Sequence, residues 1–247
     1  MLFLRSSLFM AMMIVTAIII APLAILTYPF KFSTRYKFIS LWAKFNIWWL
    51  GVSCNLKYEV EGLENVPEET AIVYAKHQSA WETMALQTFL PPQTWVMKKS
   101  LLNVPFFGWG LAMLQPVAIN RASGREALRQ LVQQGTERLE SGHWIVIFPE
   151  GTRMAPGKMR KFGFGGAKLA EKSGHVIVPV AHNAGDFWQR RQFAKHPGVI
   201  KVKIGQPILT EGRKASEINA EAEAWMIKAM TEITGVAEVL EDRKKTK

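Results

Sequence analysis

The chain predicts an α/β fold: a mixed, largely parallel sheet flanked by helices and preceded by an N-terminal membrane-associated helical pair. Three observations lead there. From about residue 57, short runs rich in Val and Ile alternate with longer segments of helical period, the pattern of βα units. No charge occurs between Arg5 and Lys31, and an apolar run of that length can cross a bilayer as a helix. A second apolar segment, 38–54, carries Trp42, Trp48 and Trp49, and Trp favours the headgroup level of a membrane.

The first helix contains Pro22, a kink that a lipid-embedded helix tolerates. A cleaved signal peptide is the competing reading; the length of the run and the lack of a clear A-x-A site oppose it. Lys31, Arg35 and Lys37 follow as a basic patch, which predicts a cytoplasmic side. Arg5 on the other flank counters that, and a monotopic hairpin fits both flanks. In the second segment Lys37, Ser40 and Lys44 are spaced by three and four residues, so they share one helix face. That pattern predicts a helix lying in the interface; a buried helical hairpin of the globular domain is the alternative. The expected division is 1–55 as anchoring helices, 56–236 as the α/β domain and 237–247 as a charged tail, frayed from Glu241.

Within the domain the candidate strands are 71–75, 94–97, 116–120, 144–148, 176–181 and 199–204. Helical patterns lie near 80–90, 124–141, 164–173 and 215–234. Ser123 with Glu126 reads as a capping box, Leu128, Leu131, Val132, Gly135 and Leu139 follow at helical spacing, and Gly142 can stop the helix. Gly163, Gly165 and Gly166 lack a regular phosphate-loop pattern and read as a flexible start to the next helix.

Composition narrows the chemistry. Apolar residues make up 49% of the 247, enough for a sizeable core, and 31 Lys and Arg against 20 Asp and Glu leave a charge of +11. That excess suits an anionic partner: nucleic acid, a membrane face or a phosphorylated substrate. The basic residues are not interleaved with aromatics in a nucleic-acid pattern, so no nucleic-acid partner is expected. Cys54 is the single cysteine, which rules out an internal disulfide and a cysteine zinc cluster. There is no G-x-S-x-G and no H-E-x-x-H, which argues against a serine hydrolase and a zinc hydrolase; no metal is expected.

In parallel sheets ligands bind beyond the carboxyl ends of the strands. Those positions are occupied by Lys76-His77, Lys98-Lys99, Arg121, Pro149-Glu150-Gly151-Thr152-Arg153 and His182-Asn183, so a base and several cations would share one rim. His77 and Glu82 are five apart in HQSAWE, about 140° off-face in a regular helix. They can meet only if His77 sits in the loop before a helix and folds back over its first turn. Glu82 would then fix one ring nitrogen and leave the other as a base. Arg153 can fork onto a phosphate, with N–H groups near Gly151 assisting. A cation at Lys76 beside His77 would favour the neutral imidazole. The stretch 101–114, with Phe106, Phe107 and Trp109, either borders an acyl groove or lipid, or belongs to the ordinary core.

These residues resemble the glycerolipid acyltransferases, over about residues 36–235. The resemblance rests on four blocks in order: His77-Gln-Ser-Ala-Trp-Glu82 for H-x4-D, VAINR ending in Arg121, FPEGTR from Phe148 to Arg153, and VIVPVAHN around Pro179. It implies transfer of a fatty acyl group from acyl-CoA or acyl carrier protein to the free hydroxyl of lysophosphatidic acid, giving phosphatidic acid, with no metal or redox cofactor. His77 would take the hydroxyl proton and Glu82 would orient it. Lys98, Arg121 and Arg153, with Gly151 and Thr152, would hold the acceptor's phosphate. Glu150 stands where the family has a residue near the acceptor. The implied location is the bacterial inner membrane, with the catalytic domain facing the cytoplasm and membrane lipids as partners. Glu82 departs from the family's Asp, and Lys76 from a common Asn. Another lysolipid acceptor, such as a lyso-ornithine lipid, and a non-catalytic lipid-binding protein remain as alternatives.

Overall fold

The computed structural model describes residues 1–120 and 123–242, with Phe107 described by its backbone alone. Two long helices, α1 (Leu2–Ile25) and α2 (Phe32–Cys54), open the chain and pack against each other, tied by a hydrogen bond from Trp42 Nε1 to Thr16 Oγ1 at 3.1 Å. The sheet strands are β1 (Leu56–Glu61), β2 (Ile72–Ala75), β3 (Gln93–Lys98), β4 (Val117–Ile119), β5 (Trp144–Ile147), β7 (Ile177–His182) and β8 (Gly198–Ile204). A short separate pair is formed by β6 (Lys158–Arg160) and β9 (Val239–Glu241). The remaining helices are α3 (Trp81–Phe89), α4 (Phe107–Met113), α5 (Arg125–Glu140), α6 (Phe164–Ser173), α7 (Ala184–Phe187) and α8 (Ala215–Thr234).

The order across the sheet is β1-β8-β7-β2-β5-β3-β4. Every neighbouring pair is parallel except β7 with β8. The carboxyl ends of β7, β2, β5, β3 and β4 therefore open on one rim, as the strand-end argument requires.

Strand alternation divides the core. From β2, Val73 and Ala75 face the layer of α1, α2 and α3, whereas Ile72 and Tyr74 face the layer of α5, α6 and α8. The first layer runs without a break across residue 55, because α2 buries Tyr36, Ile39, Ala43, Ile47 and Leu50 against the domain. The boundary expected at 55 is thus not a boundary in the core. On α2, Ser40 sits on that buried stripe while Lys37 and Lys44 are exposed, so the expected polar face is split between core and surface. On the other side of the sheet α6 approaches closely at Gly166, where a Cβ would come within 2.5 Å of the Tyr74 hydroxyl.

By contrast, α1 leaves most of its apolar surface outside, and it is long and apolar enough to cross a membrane. The domain grips it near its start: the Lys195 backbone N–H donates to Ser6 Oγ at 2.9 Å, and the Lys195 side chain lies over the rings of Phe9, Trp188 and Phe193. Helix α4 packs against α1. Leu101, Val104, Phe106 and Trp109 on or beside it are exposed, so the stretch presents apolar surface next to α1 as far as Trp109 and closes into the core at Leu114.

Two expectations fail locally. The Ser123–Glu126 capping box does not form: α5 is capped by Gly124, whose φ of 48° starts the helix without a side-chain cap, and Glu126 bonds Arg129 and Gln130 instead. The tail expected to fray from Glu241 is held that far, since β9 pairs with β6 and Glu241 meets Lys158 Nζ at 2.9 Å.

Candidate active site

His77 lies in the loop between β2 and α3, and Glu82 is the second residue of α3. The loop folds back over the helix start, and His77 Nδ1 meets Glu82 Oε1 at 2.8 Å. The same carboxylate accepts backbone N–H bonds from Gln78 at 3.1 Å and Ser79 at 2.9 and 3.0 Å. Four donor contacts on one buried group fix both the loop and the ring. Burial, the largest influence, would raise the Glu82 carboxyl; the bond from His77 and the neighbouring His182 and His77 rings outweigh it and hold the carboxyl below its ordinary value. An ionised carboxylate only accepts hydrogen bonds, so Nδ1 carries a proton, and in the neutral ring Nε2 is the nitrogen with the lone pair. The His77 side chain is 16% exposed, so that lone pair is within reach of a ligand.

The FPEGTR turn embraces the same residue. The Phe148 ring stacks on the His77 imidazole, centroids 4.0 Å apart. His77 N–H donates to Glu150 Oε2 at 2.9 Å, and Met154 N–H donates to the His77 carbonyl at 2.7 Å. Gly151 N–H closes the turn onto the Phe148 carbonyl at 2.9 Å, with φ of 71°, a backbone setting that favours glycine. Thr152 and Arg153, immediately before Met154, are half-exposed beside His77. Lys98 ends β3 as an exposed residue on the same rim, since β3 runs parallel beside β5. Arg121 lies outside the described residues.

Two expectations change here. Alternation along β2 carries Lys76 to the face of Tyr74, away from His77. Its ammonium is fully buried, 2.7 Å from Glu150 Oε1, 2.9 Å from the Lys158 carbonyl and 3.6 Å from Glu238 Oε2. Its charge is matched by carboxylates on that face rather than directed at the imidazole. Glu150 in turn is closed off from solvent, so it does not stand with the residues that could hold a phosphate. It braces the His77 loop from below through His77 N–H, Lys76 and Arg160 N–H at 3.3 Å. Burial pushes the Glu150 carboxyl up, and Lys76 opposes that.

His182 is not a second base. Its Nε2–H donates to the Lys76 carbonyl at 2.9 Å and its Nδ1 accepts from Ala184 N–H at 3.3 Å. Full burial, the largest influence, keeps the ring below its ordinary value. Both nitrogens are committed, and the ring meets Trp81 edge-on at 5.6 Å.

Two cations not singled out from the sequence lie next to the FPEGTR turn, one through a side-chain bond and one through its backbone. Arg190 Nη1 donates to Thr152 Oγ1 at 3.3 Å, and Arg160, in β6, follows the FPEGTR turn and has a buried Nε without a partner. The Arg190-Arg191 pair was visible as charge, but only the tertiary fold brings it 38 residues back to Thr152. The arrangement can do one kind of chemistry well: remove a proton from a ligand hydroxyl at His77 Nε2 while cations on the adjacent turn hold an anionic group.

Known proteins share this chain's family and fold. Residues 57–183 match the family model described as Acyltransferase. The 1-acyl-sn-glycerol-3-phosphate acyltransferase of Pseudomonas aeruginosa is 44% identical over 237 residues, covering 94% of this chain and 92% of that protein. The protein of the same name from Borreliella burgdorferi is 34% identical over 159 residues, 62% of each chain. The crystal structure of the 1-acyl-sn-glycerophosphate acyltransferase of Thermotoga maritima shares the fold, with a TM-score of 0.78 at 23% identity over 94% of this chain and 95% of that one.

Proposed function

Because the chain belongs to the acyltransferase family, we propose that it transfers a fatty acyl group to the free hydroxyl of 1-acyl-glycerol-3-phosphate, giving phosphatidic acid. The observation that carries the reading is the imidazole whose Nδ1 is held by buried Glu82 at 2.8 Å while the FPEGTR turn packs on its ring. The 44% identical Pseudomonas protein bears the name of that activity.

The acceptor's phosphate is held by Arg153 and Thr152, with Lys98, Arg121, Arg160 and Arg190 adding charge; Gly151 shapes the turn instead, its N–H being spent on the Phe148 carbonyl. A phosphate on these groups sets the acceptor's hydroxyl near Nε2. His77 removes the hydroxyl proton as the oxygen attacks the carbonyl carbon of a thioester. The new C–O bond forms, the C–S bond breaks, and the imidazolium returns its proton to the departing thiolate. Glu82 stabilises the imidazolium during the transfer. The step balances without a metal or a redox cofactor; acyl-CoA or acyl carrier protein is the co-substrate.

The lysolipid acceptor resides in a membrane, and α1 with the neighbouring apolar face of α4 supplies the attachment to it. The basic residues Lys31, Arg35 and Lys37 favour the cytoplasmic face of the inner membrane of a bacterium. Purified protein in detergent, given lysophosphatidic acid and labelled acyl-CoA or acyl carrier protein, tests the reading. Labelled phosphatidic acid supports it. Acylation of a different lysolipid with none of lysophosphatidic acid would reassign the acceptor, and no acylation of any lysolipid would reject the enzyme.

A further inference from the structure

On the opposite rim of the sheet, a group of buried polar side chains lacks the partner its charge requires. Arg35, in the first turns of α2, is 8% exposed. Among the described residues it makes no ion pair, and its enclosed Nε has no hydrogen-bond partner. Water can satisfy N–H groups, but a buried guanidinium without a counter-charge is strongly unfavourable. The neighbours make the deficit larger. His143, just before β5, stacks on Phe32 with centroids 3.7 Å apart, and its buried Nδ1 is also without a partner. Among the described residues the Arg138 side chain bonds the Gln115 carbonyl, at 3.0 Å through Nε, and the Arg138 carbonyl accepts from His143 N–H at 2.9 Å. Gln93, the first residue of β3, buries its side-chain amide beside the buried Tyr36 hydroxyl, which interacts with it. Helix α2 itself starts here with no side-chain cap and no acidic residue in its first turn, so its unpaired N–H groups add positive potential.

We propose that Arg35, Arg138 and His143 at the start of α2 form a second anion site, which takes a phosphate oxyanion and lies at the rim opposite His77. The site supplies two guanidinium groups, an imidazole N–H and an amide, and a phosphate supplies the acceptors and the charge that they lack. Burial first, and then the Arg138 and Arg35 charges, depress the His143 ring to about 4, so both guanidinium groups are near enough to act on it. The same phosphate chemistry is offered by an anionic lipid headgroup and by free phosphate. The turn leading into α2 favours the lipid, because Leu26, Tyr28 and Phe30 are large, exposed and apolar and would lie against its chains. Bound there, an anionic lipid would fix the base of the α1–α2 pair to the membrane. The site is separate from acyl transfer and does not depend on that reading.

Thermal unfolding of the full chain in neutral detergent tests this, with phosphatidylglycerol, phosphatidylcholine or inorganic phosphate added. Phosphatidylglycerol should raise the Tm of the wild type and phosphatidylcholine should not. Arg35→Met should weaken the half-saturating concentration by about tenfold or more while leaving turnover with lysophosphatidic acid unchanged. A response to inorganic phosphate that Arg35→Met removes supports the site with free phosphate as its source. An equal response of wild type and Arg35→Met to both anions overturns it. If Arg35→Met does not fold, the wild type alone decides by NMR of its labelled histidines: the His143 titration midpoint should rise when the anion binds, and an unmoved midpoint overturns the proposal.

Discussion

Glu82 Oε1 lies 2.8 Å from His77 Nδ1 and at the same time accepts the backbone N–H groups of Gln78 and Ser79. One buried carboxylate therefore sets the tautomer of the base and the shape of the loop that carries it. Glu82→Gln replaces an acceptor with a group that also donates, so the ring loses its anchor. The expected loss in kcat is about 10²–10⁴-fold, the usual span for general-base catalysis, with little change in the KM for lysophosphatidic acid. Glu82→Asp, which restores the family's usual acid but withdraws the carboxylate by a methylene, should fall between. Steady-state kinetics on the three proteins check the order.

Arg153 and Arg190 should act on the acceptor's charge rather than on the chemical step. Arg153→Ala should raise KM for lysophosphatidic acid about tenfold or more, the loss of one or two charge-assisted bonds. Arg190→Ala should do so more weakly, since it reaches the turn through Thr152. Neither should alter turnover measured with monoacylglycerol, an acceptor that lacks the phosphate. Equal effects on both acceptors would remove these residues from the phosphate site.

The Lys76–Glu150 pair is a matter of folding as well as function. Both side chains are fully buried, so Glu150→Gln leaves the ammonium only the more distant Glu238, 3.6 Å away, as counter-charge and should cost up to about 3–5 kcal/mol. Activity should fall with it, because His77 N–H loses its acceptor. The double replacement Lys76→Met with Glu150→Leu should recover part of the stability but not the activity. Urea unfolding of the single and double variants measures both.

His143 should give the protein an acid-sensitive limb. Its folded value, about 4, lies below the ordinary 6.5, so between those values the unfolded chain binds more protons. Stability from this group is complete above pH 6.5 and falls as the pH drops towards 4. A Tm–pH profile in detergent should show that decline, and His143→Phe, which keeps the stack on Phe32, should lack it.

Much of this was legible because it depends on local pattern. The strands β2, β3, β5 and β7 are largely buried runs bounded by turns, β8 alternates apolar and polar residues, and the parallel order then places His77, Lys98 and the FPEGTR turn on one rim. The fold-back of His77 onto Glu82 followed from a spacing of five that no regular helix can satisfy. What escaped was set by distant partners. The edge strand β1 alternates Lys57, Glu59 and Glu61 with apolar residues and carries little hydrophobic signal. Strands β6 and β9 are short, and their mates lie about eighty residues apart. Alternation along β2 already implied that Lys76 and His77 would part, but its carboxylate partners come from 74 and 162 positions away. Ser123 matched the capping motif in sequence, yet the chain begins α5 through Gly124 instead.

The central claim is that His77 is the base for acyl transfer to a phosphate-bearing lysolipid. The most direct measurement is thioester consumption by purified wild type and His77→Ala with lysophosphatidic acid present, alongside the affinity of each for that acceptor. The expected result is a loss of turnover of about 10³-fold or more with acceptor affinity retained. Turnover by His77→Ala within tenfold of the wild type would contradict the account.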